Sequence, residues 1–106
     1  MSSLNNDYDS IEKIIYEDGL KIKALHFHPD LDLMLIVLSN KKVLNRAISS
    51  SSRLKEASPE QINNYRLIGK GAGVHWPDVD EDLSLKGFLK EEIDRSIREI
   101  KNTLVV

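Results

Sequence analysis

The sequence predicts an α+β fold: a small antiparallel meander sheet, short helices and a longer amphipathic helix at the C-terminal end. Three observations carry this. Residues 20–48 hold three short apolar or alternating stretches separated by turn residues. Ser58-Pro59-Glu60-Gln61 has the residue types of a helix start. Residues 85–104 repeat apolar side chains every three or four positions.

The elements follow in order. Ile11, Ile14 and Ile15 have helical spacing behind a possible Ser10 cap, but Asp18-Gly19 also suits a hairpin turn, so residues 8–17 read equally as helix or strand. Leu20, Ile22 and Ala24 alternate with Lys21 and Lys23 as a half-buried strand, which His28-Pro29-Asp30 breaks because proline cannot continue a ladder. Leu31–Leu38 reads as a central strand apolar on both faces. Ser39-Asn40-Lys41-Lys42 turns the chain into a third strand that ends at Ile48. Ser49–Ser52 offer nothing to a core and predict a mobile surface connection. A capping box at Ser58 and Gln61 starts a short helix from Pro59 to about Arg66, which the glycines from Gly69 onward end. Val74-His75-Trp76 is a short strand stopped by Pro77.

The last helix is the longest. Leu85, Phe88, Leu89, Ile93, Ile97, Ile100 and Leu104 form its apolar stripe, Ser84 is its cap, and Glu91/Arg95 and Asp94/Arg98 are i,i+4 pairs. Gly87 marks a break or a close approach. The sheet is too short to cover the whole stripe, so Ile97, Ile100 and Leu104 are expected to overhang it as an oligomer interface in a possible homodimer, unless the helix folds back on residues 8–16.

Composition narrows the function classes. A chain of 106 residues is one domain, and the absence of cysteine excludes disulfides, thiolate nucleophiles and iron–sulfur clusters. The apolar run from Leu33 to Leu38 is far below the roughly 20 residues of a membrane span, so no membrane association is expected. The first seven residues show neither the basic nor the apolar region of a signal peptide, which makes a cytoplasmic location the default. Charge is uneven: residues 1–30 hold 3 basic and 6 acidic groups, residues 31–77 hold 7 and 3, and residues 78–106 hold 5 and 8. The basic middle, with Lys41, Lys42, Arg46, Arg53, Lys55, Arg66 and Lys70, would be the nucleic-acid surface of a transcriptional regulator.

Motifs with catalytic chemistry are incomplete. Gly69-Lys70-Gly71-Ala72-Gly73 lacks both the Walker spacing and the third glycine of a dinucleotide loop, and reads as a turn into a strand. Asp78–Asp82 opens like a calcium loop, but Leu83 and Leu89 stand where its glycine and bidentate glutamate belong. Asp80 and Asp82 are better placed near the N-terminus of the following helix, where carboxylates complement its dipole. His26, His28 and His75 would bind zinc only by converging, and no spacing requires that. No metal, cofactor or catalytic residue is assigned, and the expectation is a non-enzymatic protein. Trp76 reads first as a core anchor, and otherwise as an aromatic anchor for a partner, rimmed by charge.

Arg53-Leu54, Ala57–Tyr65 and above all His75-Trp76-Pro77-Asp78-Val79-Asp80-Glu81-Asp82-Leu83-Ser84 resemble the bacterial domain of unknown function 2442 family over residues 20–90. Residues 91–106 are then a helical extension of that core, and the serines before Arg53 replace bulky or proline residues usual in the family. The resemblance implies a small α+β domain associated with toxin–antitoxin-like gene pairs, and no known ligand. The resulting expectation is an antitoxin-like interaction module that binds another bacterial protein, such as a cognate toxin, through Arg53, His75, Trp76, Asp80, Glu81 and Asp82.

Overall fold

The computed structural model describes residues 9–104, except for the side chain at position 104, so the Leu104 part of the expected interface and the last two residues of the expected helical extension lie outside the described residues. Helix α1 spans Ser10–Tyr16, which settles the first segment as helical. Its cap is Asp9 rather than Ser10: the Asp9 carboxylate accepts the Glu12 N–H at 2.8 Å, and the Asp9 N–H donates to the Glu12 carboxylate at 3.1 Å.

Strands β1 (Ile22–His28), β2 (Leu33–Leu38) and β3 (Val43–Ala47) form the expected antiparallel meander in the order β1-β2-β3. β1 ends at His28, and the proline that follows opens a 3-10 turn, Pro29–Leu31, so the central strand begins at Leu33 rather than Leu31. In β2, Met34, Ile36 and Leu38 are buried while Leu33, Leu35 and Val37 are half-buried on the other face.

The serine run is not a loose connection. Ser49 donates its hydroxyl to Asp32 at 2.5 Å and its N–H at 2.9 Å, and these two contacts hold the Asp32 carboxyl below its ordinary value. Ser51 is buried and caps a helix absent from the sequence reading, α2 (Ser52–Lys55), by accepting the Leu54 N–H. Polar side chains with bonds available inside the chain therefore order the segment that their low complexity suggested would move.

Helix α3 (Pro59–Asn63) starts on the expected capping box, with both Ser58–Gln61 bonds present. It stops before Arg66 because Asn64 leaves the helical region and the chain enters a strand. That strand, β4 (Arg66–Ile68), pairs with β5 (Gly73–Trp76), which pairs with β6 (Glu81–Ser84), making a second three-stranded antiparallel sheet. Asp80 and Asp82 consequently belong to a turn and a strand, not to a helix N-terminus. The glycines between β4 and β5 make a 3-10 turn in which Gly71, at φ +93, presses on the Lys21–Ile22 backbone; a Cβ there would lie 2.8 Å from the Ile22 carbonyl oxygen.

Met34, Ile36, Leu54, Val74, Trp76 and Leu85 are fully buried, so both sheets and the helices share one core. Tyr65 joins the sheets at the open edge of β1: its hydroxyl accepts the Leu25 N–H at 3.2 Å and donates to the Leu25 carbonyl at 3.4 Å. The Phe27 ring meets Tyr65 and Trp76 edge-on, with centroids 5.9 and 6.5 Å apart.

Helix α4 (Leu85–Leu104) is unbroken at Gly87, whose N–H is capped by Ser84 at 3.0 Å. Leu85 and Phe88 enter the core. The two expected i,i+4 pairs do not form among the described residues. Glu91 instead binds Arg46 on β3 at 2.9 Å, and Arg95 binds Glu92 and the Asn45 carbonyl. An exposed i,i+4 pair contributes only about 0.3–0.5 kcal/mol, and the tertiary contacts to Arg46 and the Asn45 carbonyl together with the i,i+3 contact to Glu92 displace it.

Candidate functional site

The β5–β6 hairpin gathers the acidic cluster, and its geometry sends each carboxylate to a different partner. Across the ladder, His75 faces Asp82 on one side and Arg66 on the other. The His75 ring nitrogen Nδ1 lies 2.6 Å from the Asp82 carboxylate. Glu81, opposite Trp76, projects inward and accepts the Ser51 hydroxyl at 2.5 Å. Asp78 accepts from the Asn64 side-chain amide at 2.9 Å. Asp80 occupies the turn with φ 52, a left-handed conformation that aspartate tolerates better than most residues. Arg53 donates to the Asp80 carbonyl at 2.5 Å, and its carboxylate lies 3.6 Å away.

Arg53, His75, Asp80, Glu81 and Asp82 are thus brought together around one hairpin. Their contacts clip it to α2, with α3 held by Asn64 and by Trp76. The expectation that Trp76 anchors a partner is corrected: the indole is fully buried and donates to the Ile62 carbonyl at 2.8 Å, so no face of it remains for another molecule. Ser51 and Asn64, which complete the clip, were not singled out from the sequence. The signal for Ser51 was present, since a serine three residues before Leu54 is a capping arrangement.

His26 and His28 lie on β1 and His75 on β5, in different sheets. Among the described residues no group of three or more His, Asp or Glu side chains is placed to hold a metal ion.

The basic set is carried by several elements: β3, α2, β4 and two of the turns between strands. Arg46 is the clearest correction: its side chain is only 10% exposed, it is bound to Glu91, and its guanidinium lies 5.7 Å from the Phe88 ring centre. It cannot reach a phosphate backbone without leaving that seat. Arg53 is half-exposed but committed to Asp80. Lys41, Lys42, Lys55, Arg66 and Lys70 are exposed. The cleft between β3 and α4, about 290 Å³, is lined by Arg46, Glu91, Glu92, Arg95 and Arg98, and its first four charges pair with one another.

The second candidate surface is on α4. Ile93, Ile97 and Ile100 are 46, 49 and 58% exposed, so the apolar stripe leaves the core one turn earlier than expected. At about 100° per residue, these three lie roughly 120° around the axis from Leu85 and Phe88, which face the core. Helix α1 packs on α4, with Lys86 held by Asp9 at 3.1 Å and Glu12 at 3.2 Å. Lys86 stands seven residues before Ile93, on the same side of the helix. The fold-back onto α1 therefore covers the start of that side and leaves Ile93–Ile100 open.

No helix among the described residues is long and apolar enough to cross a membrane. The fold resembles two solved bacterial proteins. A crystal structure of a protein of unknown function from Rhodospirillum rubrum is 23% identical, with 69% of this chain and 88% of that one covered at a TM-score of 0.61. The solution structure of an uncharacterised protein from Chromobacterium violaceum is 20% identical, with 84% and 77% covered at a TM-score of 0.62. At these identities the likeness shows the fold alone. No curated protein matches the chain. The family model described as protein of unknown function DUF2442 matches residues 22–94, from the first strand to the middle of α4, and the chain belongs to that family.

Proposed function

We propose that this protein is a non-enzymatic interaction module, an antitoxin-like accessory of a bacterial regulatory system that binds a second protein such as a cognate toxin. One observation carries the reading: three aliphatic side chains, Ile93, Ile97 and Ile100, stand 46–58% exposed along one side of α4, beyond the reach of α1. Leaving such side chains in water forfeits about 1.5–3 kcal/mol each relative to full burial. The hairpin clip supports the same reading, because Arg66, His75 and Asp82 form a polar row across the three strands of the second sheet.

The experiment is capture from the native host with the full chain as bait, beside an Ile93→Asp/Ile97→Asp variant. A single small protein retained by the first and lost with the second is expected; identical captures would overturn the use of α4. Titration with duplex DNA serves the nucleic-acid alternative. Binding there should be weak and fall steeply with salt, since Arg46 and Arg53 are engaged and the remaining basic residues are offset by the acidic ends of the chain. A nanomolar dissociation constant at physiological salt would replace the proposed reading.

A further inference from the structure

Ile93, Ile97 and Ile100 follow one another at spacings of four and three, the alternation of a seam between two paired helices. The residues beside that seam differ on its two flanks. Asp94 and Lys101 lie along one, and Ser96 and Thr103 along the other. Among the described residues, neither Asp94 nor Lys101 has an ion pair within the chain. Seven residues before Ile93, the same side of α4 already holds a helix, since α1 docks there through Lys86. What lies open is thus the continuation of an existing helix–helix contact.

Resting on the reading of α4 as an interaction surface, we propose that in the absence of that second protein its occupant is a second copy of this chain, with the two α4 helices antiparallel across a two-fold axis at Ile97 and Ile100. In that register Ile97 of each copy meets Ile100 of the other, and Asp94 of each falls beside Lys101 of the other, twice by symmetry. A parallel pairing would set Asp94 and Lys101 against the opposite flank, where Leu89, Ser96 and Thr103 offer no charge. The flanking charges select the antiparallel arrangement. Ser96, Glu99 and Thr103 border a shallow hollow beside Ile100. The seam is short: residues 93–103 span about 16 Å, less than an interface of about 800 Å² per partner requires, so association is in the micromolar range.

The test is sedimentation of the purified full chain from about 5 to about 500 µM, where a monomer–dimer equilibrium depends on concentration. The wild type should dimerise over that range, and Ile97→Asp/Ile100→Asp should be monomeric with unchanged circular dichroism. Asp94→Lys and Lys101→Asp should each weaken the dimer about fivefold or more, and the double swap should restore it to within about twofold. A wild type that stays monomeric throughout, or a double swap no better than the single changes, overturns the proposal. Should the aspartate pair disturb folding, the charge series decides alone. A chain that is monomeric yet captures a different protein through Ile97 would end this inference and leave the proposed function standing.

Discussion

The Ser51 hydroxyl lies 2.5 Å from the Glu81 carboxylate, joining a run of four serines to the acidic hairpin thirty residues later. The same oxygen accepts the Leu54 N–H, so one small buried side chain caps α2 and anchors β6. Removing it strands an N–H and a partly buried carboxylate together. Ser51→Ala should cost about 1–3 kcal/mol in urea unfolding, against less than about 0.5 kcal/mol for exposed Ser52→Ala. Equal effects would mean that Ser51 is not the anchor described.

Trp76 carries a different kind of load. Its ring fills the space between the sheets and its N–H satisfies the Ile62 carbonyl. Trp76→Phe leaves a void and an orphaned carbonyl, an expected loss of about 2–4 kcal/mol. Its fluorescence should be blue-shifted and poorly quenched by acrylamide; ready quenching would contradict a buried indole.

Arg46 and Glu91 should respond asymmetrically to mutation. The arginine side chain is 10% exposed and the glutamate 54%, and Arg46 Nη1 has no partner even with Glu91 in place. Glu91→Ala leaves a buried cation uncompensated, at about 1–3 kcal/mol. Arg46→Met keeps an apolar chain on Phe88 and leaves only an exposed carboxylate, so it should cost less than about 1 kcal/mol or stabilise. A larger loss for Arg46→Met would reverse this ordering.

The contact of α1 with α4 should have a pH window. The Glu12 N–H, and then Lys86, hold the Asp9 carboxyl below its ordinary 3.8, while Asp9 and then Glu12 hold Lys86 above its ordinary 10.5. The Asp9 contribution is present above about 3.8 and is lost as pH falls through the lowered value. The Lys86 contribution is present below about 10.5 and is lost as pH rises through the raised value. Amide protection in α1 should therefore drop on acidification below about pH 4 and in Lys86→Ala at neutral pH, both with global unfolding little changed. Protection indifferent to Lys86→Ala would remove the ion pairs from the account.

What the sequence revealed was local. The Ser58 box, the meander and the length of α4 each depend on residues within a few positions of one another. The second sheet was invisible because β4 and β6 hold three and four residues, and Arg66, Glu81 and Asp82 are poor strand formers made acceptable by the ladder on either side of β5. The hairpin residues were legible as a group and not as a geometry: nothing in Asp78–Asp82 says that four acids will face Asn64, Arg53, Ser51 and His75. For α4 the stripe was read as one face, whereas Phe88 and Ile93 point well apart around the helix.

Both outer edges of the first sheet are occupied at their midpoints, β1 by the Tyr65 phenol at Leu25 and β3 by the Arg95 guanidinium at the Asn45 carbonyl. An exposed strand edge is a template for cross-β growth, and a side chain seated on its backbone removes the template where an incoming strand would need to dock. Tyr65→Phe would unseal β1 while leaving the aromatic packing in place. The free edge of β1 is thus closed at its midpoint by a single hydroxyl group.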